Sequence, residues 1–283
     1  MRWTPRGRSA NLEDRRGMGG GGGMITMPRM GIGGLLLLLV LSFIFKQDFF
    51  ALLGGAGDGG QPVAGAPAPT SPEEERLIQF VSFVLDDNQE TWSRIFASSG
   101  NTYQPATLTL FTDAVRSGCG FAQAGMGPFY CPADQKVYID LGFYQELRNR
   151  FGAPGDFAQA YVIAHEIGHH VQNLLDISRQ VRQAQQEDPG RANELSVALE
   201  LQADCLAGLW GHSTSQRNLL EEGDIEEALG AAAAVGDDRI QSQGSGEVRP
   251  ETWTHGSSEQ RMRWFRAGYD TGDINRCDTF AAR

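Results

Sequence analysis

Two histidines stand four residues apart, with a glutamate directly after the first, in "AYVIAHEIGHHVQNLL" (residues 160–175). The rest of the stretch, with Tyr161, Val162, Ile163, Ala164, Ile167 and Val171, is apolar enough for a helix buried on most sides. Residues i and i+4 share one helical face, so His165 and His169 aim their rings at one point. His170 lies about 100° further round and reads as a packing residue or a partner to a neighbouring group. Unpaired imidazoles in such surroundings carry a desolvation cost, and a shared metal ion removes it. Gly168 lowers helix propensity by about 1 kcal/mol relative to alanine. That weakness makes sense where another backbone or a metal loop must come close.

His165, Glu166 and His169 form the HExxH arrangement, in which the histidines ligate zinc and the glutamate acts as base. Zinc needs a third protein ligand and, for catalysis, a position open to water. The extended HExxHxxGxxH pattern is excluded, because Gln172 and Leu175 occupy its last two marked positions. The following helix, "NELSVALELQADCLAGLW", offers Glu194 and Glu200. Glu200 is the better ligand, since Asp204 lies one turn beyond it and can hold the second nitrogen of a ligating histidine. Leu199, Leu201, Ala203, Cys205, Leu206 and Leu209 mark a helix buried nearly all round, whereas Glu194 reads as solvated. His212 reads as a helix-end residue favoured by the dipole. His255, in a loop before Ser257 or Ser258 as a cap, is the remaining catalytic candidate.

The net charge of −11 hides an asymmetry, because Arg2, Arg6, Arg8, Arg15, Arg16 and Arg29 face only Glu13 and Asp14 in the first 29 residues. From Lys46 onward 18 bases stand against 33 acids, which argues against nucleic acid as a partner. Residues 30–45, "MGIGGLLLLLVLSFIF", carry no charge, and a second apolar patch follows at 49–53. With an arginine-rich flank before it, the segment 30–53 reads as a transmembrane signal anchor, the amino terminus cytoplasmic and the acidic part outside. A cleaved signal peptide is the rival, but no clear small-x-small site directly follows the run. Residues 1–29 read as a disordered cytoplasmic tail, residues 54–72 as a flexible Gly/Ala/Pro linker and residues 73–283 as one domain. The four cysteines, Cys119, Cys131, Cys205 and Cys277, all follow the anchor and point to two disulfides in an exported domain. Of three connectivities, the local one pairs Cys119 with Cys131 and leaves Cys205 with Cys277.

A helix opens at "TSPEEERLIQF", where Thr70 or Ser71 caps, Pro72 suits the first turn and three glutamates face the dipole. Residues 106–115 and 136–141 read as strands on either side of the glycine-rich "GCGFAQAGMGPFYCPADQ". A short helix, "FYQELRNRFG", precedes longer ones at 156–177, 191–212 and 225–241, and "SSEQRMRWFRAGYD" predicts one more. The expected class is α+β, mainly α, with a small sheet packed on the HExxH helix.

"YVIAHEIGHHVQ", "ELQADCLAGLW", "HGSSEQR" and the terminal "CDTF" together resemble the bacterial family of predicted neutral zinc metallopeptidases, membrane-anchored and similar to the gluzincins. The resemblance spans roughly residues 70–283. It implies a gluzincin-like core and an edge strand lining the cleft that pairs with an extended substrate, for which "KVYID" is placed. Related membrane gluzincins carry His-Pro where this chain has His255 followed by Gly256. The expected activity is a metalloendopeptidase in which His165, His169 and Glu200 bind Zn²⁺, Glu166 is the general base, Asp204 orients a ligand, and His255 or a nearby arginine steadies the oxyanion. Its partners are a peptide or protein substrate and the membrane. The competing expectation is a membrane-tethered binding or assembly factor with a closed, structural zinc site.

Overall fold

The helix anticipated at "TSPEEERLIQF" is α1, Pro72–Ser98, and the side chain of Ser71 caps it by accepting from the Glu74 amide at 3.1 Å. The structure, a computed structural model, describes residues 1–17, 70–244 and 246–281. The chain divides into two units, residues 1–19 with 67–283 and residues 20–66. The anchor expected at 30–53 and the linker up to residue 69 lie outside the described residues. No helix among the described residues is long and apolar enough to cross a membrane.

Among the described residues six strands make two sheets: β1 Leu12–Asp14, β2 Thr107–Phe111, β3 Ala114–Ser117, β4 Gly120–Gln123, β5 Phe129–Cys131 and β6 Lys136–Asp140. The strand expected over 106–115 breaks at Asp113, whose φ of 63° turns the chain while its amide donates to Asp140 Oδ2 at 2.9 Å. Beyond that turn, β3 and β4 pair as a separate antiparallel hairpin. The main sheet has the order β1-β2-β6-β5, with β1, β2 and β6 parallel and β5 antiparallel to β6. This corrects the expectation for "KVYID": β6 is an interior strand. The edge beside the helices is β5, three residues hidden inside the glycine-rich loop.

Among the described residues seven further α-helices follow α1: α2 Gly142–Asn149, α3 Asp156–Leu174, α4 Ile177–Glu187, α5 Ala192–Gln216, α6 Asp224–Ala234, α7 Asp237–Gly244 and α8 Ser258–Thr271. The helix expected over 156–177 ends at Leu174, before Asp176 adopts the left-handed conformation, and α4 beyond it was not expected. The helix expected over 225–241 is divided between Ala234 and Asp237. Helix α8 starts with a full capping box, Ser257 and Gln260 each bonding the other's backbone amide. The result is mainly helical with a small sheet, the α+β class expected.

The core joins α1 (Val81, Leu85, Trp92), the sheet (Leu108, Leu110, Val137, Ile139), α3 (Phe157, Ile163, Ile167) and α5 (Leu206, Trp210). Where α5 crosses α8 the two backbones touch. A Cβ on Gly208 would fall 2.0 Å from the Phe265 carbonyl oxygen, and one on Gly268 would fall 1.9 Å from that of Cys205. Glycine is the residue that allows such contact. Both disulfides form as expected, Cys119 with Cys131 and Cys205 with Cys277.

Residues 1–17 depart from the expected disordered tail. Strand β1 extends the main sheet, Leu12 opposite Leu108 and Asp14 opposite Leu110. Trp3 packs its ring against Phe80 at 5.3 Å between centroids. Arg16 is buried between Asp14 and Glu74, and Arg8 reaches Glu75 and Asp14. The α-amino group of Met1 donates to Asp156 at 2.6 Å. Local composition reads this stretch as a charged, aperiodic tail because the partners it bonds beyond itself lie at least 58 residues away.

Candidate metal centre

His165 and His169 sit on the inner face of α3, and Glu200 faces them from α5. Glu200 Oε2 lies 3.2 Å from His165 Nε2, and Oε1 lies 3.4 Å from His169 Nε2. One ligand atom from each of the three falls within 4.8 Å of the others. The helices come this close because Gly168 rests on Ala203, where a Cβ would lie only 3.0 Å from the carbonyl oxygen. The expected close approach at Gly168 is thus a helix backbone.

The other nitrogen of each ring is already committed. His165 Nδ1 donates to Asp204 Oδ1 at 2.9 Å, and His169 Nδ1 donates to Gln172 Oε1 at 2.8 Å. With Nδ1 protonated, a neutral imidazole turns its Nε2 lone pair outward. Two ring nitrogens and a carboxylate then converge on one point, where either protons on Nε2 shared with Glu200 or a divalent cation that displaces them balances the negative charge. The donor set therefore fits a divalent ion with nitrogen and oxygen preference, zinc among them. Burial alone would lower the pKa of His165, but Asp204 and Glu200 override it and hold it at about 9. Burial would likewise raise Glu200, yet His169 and His165 keep its carboxylate ionised, well below the ordinary value.

Glu166, nearly buried, is the counter-case: loss of hydration pushes its pKa up against the pull of His169 and His165. A carboxylate raised in this way takes and returns a proton more readily near neutrality.

Asp204 is fully buried and accepts from His165, from Tyr161 at 2.5 Å and from Arg261, whose Nε is 2.8 Å from Oδ2 and Nη2 3.0 Å from Oδ1. Arg261, the last residue of "HGSSEQR", also lies 3.2 Å from the Tyr161 hydroxyl. An arginine clamped to Asp204 is not available as a free oxyanion donor. Sequence reading placed an arginine near the site but gave it that other task.

His255 lies in the loop before α8, half-exposed. Asp237, at the start of α7, accepts the backbone amides of Thr254, His255 and Gly256 on one oxygen and meets His255 Nδ1 at 3.2 Å with the other. That carboxylate raises the imidazole's pKa against partial burial, and Glu200 adds to the rise. At Gly256 the loop rests on Val197 and Leu201, which bracket Glu200 on α5. Asp237 carries no signal in "GDDRI" and is the partner that sequence reading missed.

The remaining histidines are structural. His170 points away from the ligand pair, donates Nε2–H to the Gln104 carbonyl at 2.6 Å and accepts the Tyr130 hydroxyl on Nδ1 at 3.0 Å, tying α3 to β5. Burial keeps it neutral. His212 is in the last turns of α5 but bonds the Tyr269 carbonyl of α8. Glu194 is exposed beside Arg191.

The chain is 48% identical over 289 residues to the "Uncharacterized protein YpfJ" of Escherichia coli (strain K12), covering 99% of each chain. It is 51% identical over 191 residues to the "Uncharacterized protein Rv2575" of Mycobacterium tuberculosis (strain ATCC 25618 / H37Rv), covering 64% of each. No solved structure matches. The family model described as "Putative neutral zinc metallopeptidase" matches residues 1–280. With almost its whole length matched, the chain belongs to the family so described.

Proposed function

We propose that the chain is a zinc-dependent metalloendopeptidase with a gluzincin-like core, its ion held by His165, His169 and Glu200. The observation that carries this reading is the convergence of both Nε2 atoms and the Glu200 carboxylate, with a proton-accepting Glu166 one residue from the first ligand. Zinc in such a site lowers the pKa of water toward 7 and polarises a carbonyl. Glu166 takes the water's proton and hands it to the leaving amine as the peptide bond breaks. Asp204 and Gln172 fix the orientation and tautomer of the two ligand rings. Arg261 and Tyr161 hold Asp204 in turn. His255, steadied by Asp237, donates to the carbonyl oxygen as negative charge develops on it. An extended substrate adds to the free edge of β5, its backbone pairing with residues 129–131. The two disulfides support an oxidising, extracytoplasmic location.

Glu166→Gln tests the base. The variant is expected to bind zinc as the parent does and to lose at least 100-fold in cleavage of a fluorogenic casein; a variant that retains cleavage rules this base out.

A further inference from the structure

We infer that residues 1–17 and the body formed by residues 70–281 lie on the same side of any membrane the protein meets. Four independent contacts join the two stretches. Strand β1 pairs with β2 in register. Trp3 packs on Phe80 and Phe83. Ser9 donates to Asp86 at 2.5 Å. Arg8 and Arg16 bond Glu75 and Glu74 in the first turn of α1. A single crossing would set the flanks of the apolar run apart by the full hydrocarbon thickness, about 30 Å. Strand pairing and contacts of about 3 Å do not survive that separation. Arg16, near the end of the first described stretch, and Glu74, near the start of the next, touch.

The arginine excess that reads as a cytoplasmic flank has a second use in this fold. Arg8, Arg15 and Arg16 are paired with Asp14, Glu75, Glu13 and Glu74. Arg8 and Arg16 serve as counter-charge to Glu75 and Glu74 of the body, so the number of arginines is not free evidence for orientation. Undocking residues 1–17 would strip β2 of one of its two neighbours and leave its outer backbone groups without their strand partners. A cytoplasmic amino terminus with the body outside is therefore incompatible with this packing. The inference does not rest on peptidase activity.

Full-length protein in its native membrane supplies the test. An impermeant maleimide is applied to intact cells and to inverted vesicles carrying Arg6→Cys or Arg266→Cys, both at exposed positions. Separately, Ser9→Cys with Asp86→Cys is oxidised by copper phenanthroline and the product read by mass spectrometry. Labelling of both single variants from one face, together with the cross-link, is the result expected. Labelling from opposite faces overturns the inference, and so does a double variant that keeps the parent's melting temperature yet never cross-links.

Discussion

Single residues set the chemistry of this site through what they are bonded to. His255 feels three charged groups from three elements: Asp237 of α7, Glu200 of α5 and Arg261 of α8. The net effect raises its pKa, so the protonated, donating imidazole persists to higher pH than a free histidine would. Asp237→Asn removes the main cause. The alkaline limb of the kcat/KM profile is then expected to move to lower pH while the acid limb, set by Glu166, stays. An unmoved profile would mean that Asp237 only secures the backbone of residues 254–256. The convergence of His165 and His169 was legible from spacing alone, because i and i+4 fix a shared face without any knowledge of the fold. Glu200 and Asp204 were legible for the same reason, as acids one turn apart on an otherwise apolar helix. Asp237 and the task of Arg261 were not, since both depend on which loop folds over which helix.

At the level of elements, β5 is where sequence reading and fold part. Three residues in a glycine-rich loop carry no alternation long enough to announce a strand. Tertiary bonds make it one. Cys131 ties it to the β3–β4 turn through Cys119, and Tyr130 fastens it to α3 through His170 and Asn173. By contrast α1, α3, α5 and α8 were visible as caps and apolar faces, with errors only where a break depended on a turn residue such as Asp176. If β5 receives substrate, Tyr130→Phe loosens its distance from the metal helix without touching a ligand. The expected result in steady-state kinetics is a several-fold rise in KM with kcat and zinc content unchanged. A fall in kcat at constant KM would place Tyr130 in the chemistry instead.

Across the whole molecule, the sheet joins residues about 95 positions apart, and no local pattern in residues 1–17 foretells it. Its charges make the joint sensitive to acid. Burial alone would raise the pKa of Asp14 and Glu13, but Arg16 and Arg8 on the first, and Lys136 and Arg15 on the second, pull both below their ordinary values. Glu75 is lowered by Arg8. Carboxylates depressed in the folded state contribute stability that is complete above the ordinary carboxylate pKa and is lost as pH falls through the depressed values. Amide hydrogen exchange is therefore expected to release β1 below about pH 4, before α3 and α5 lose protection. Simultaneous release of all three would make the amino-terminal strand part of one cooperative unit. The glycine contact between α5 and α8 bears on redesign. Those helices carry Glu200, Asp204 and Arg261, and with backbone against backbone there is no side-chain volume between them left to vary. Laboratory evolution toward new cleavage preferences should draw its improvements from residues 118–130, whereas libraries placed along the α5–α8 seam should yield mostly insoluble protein.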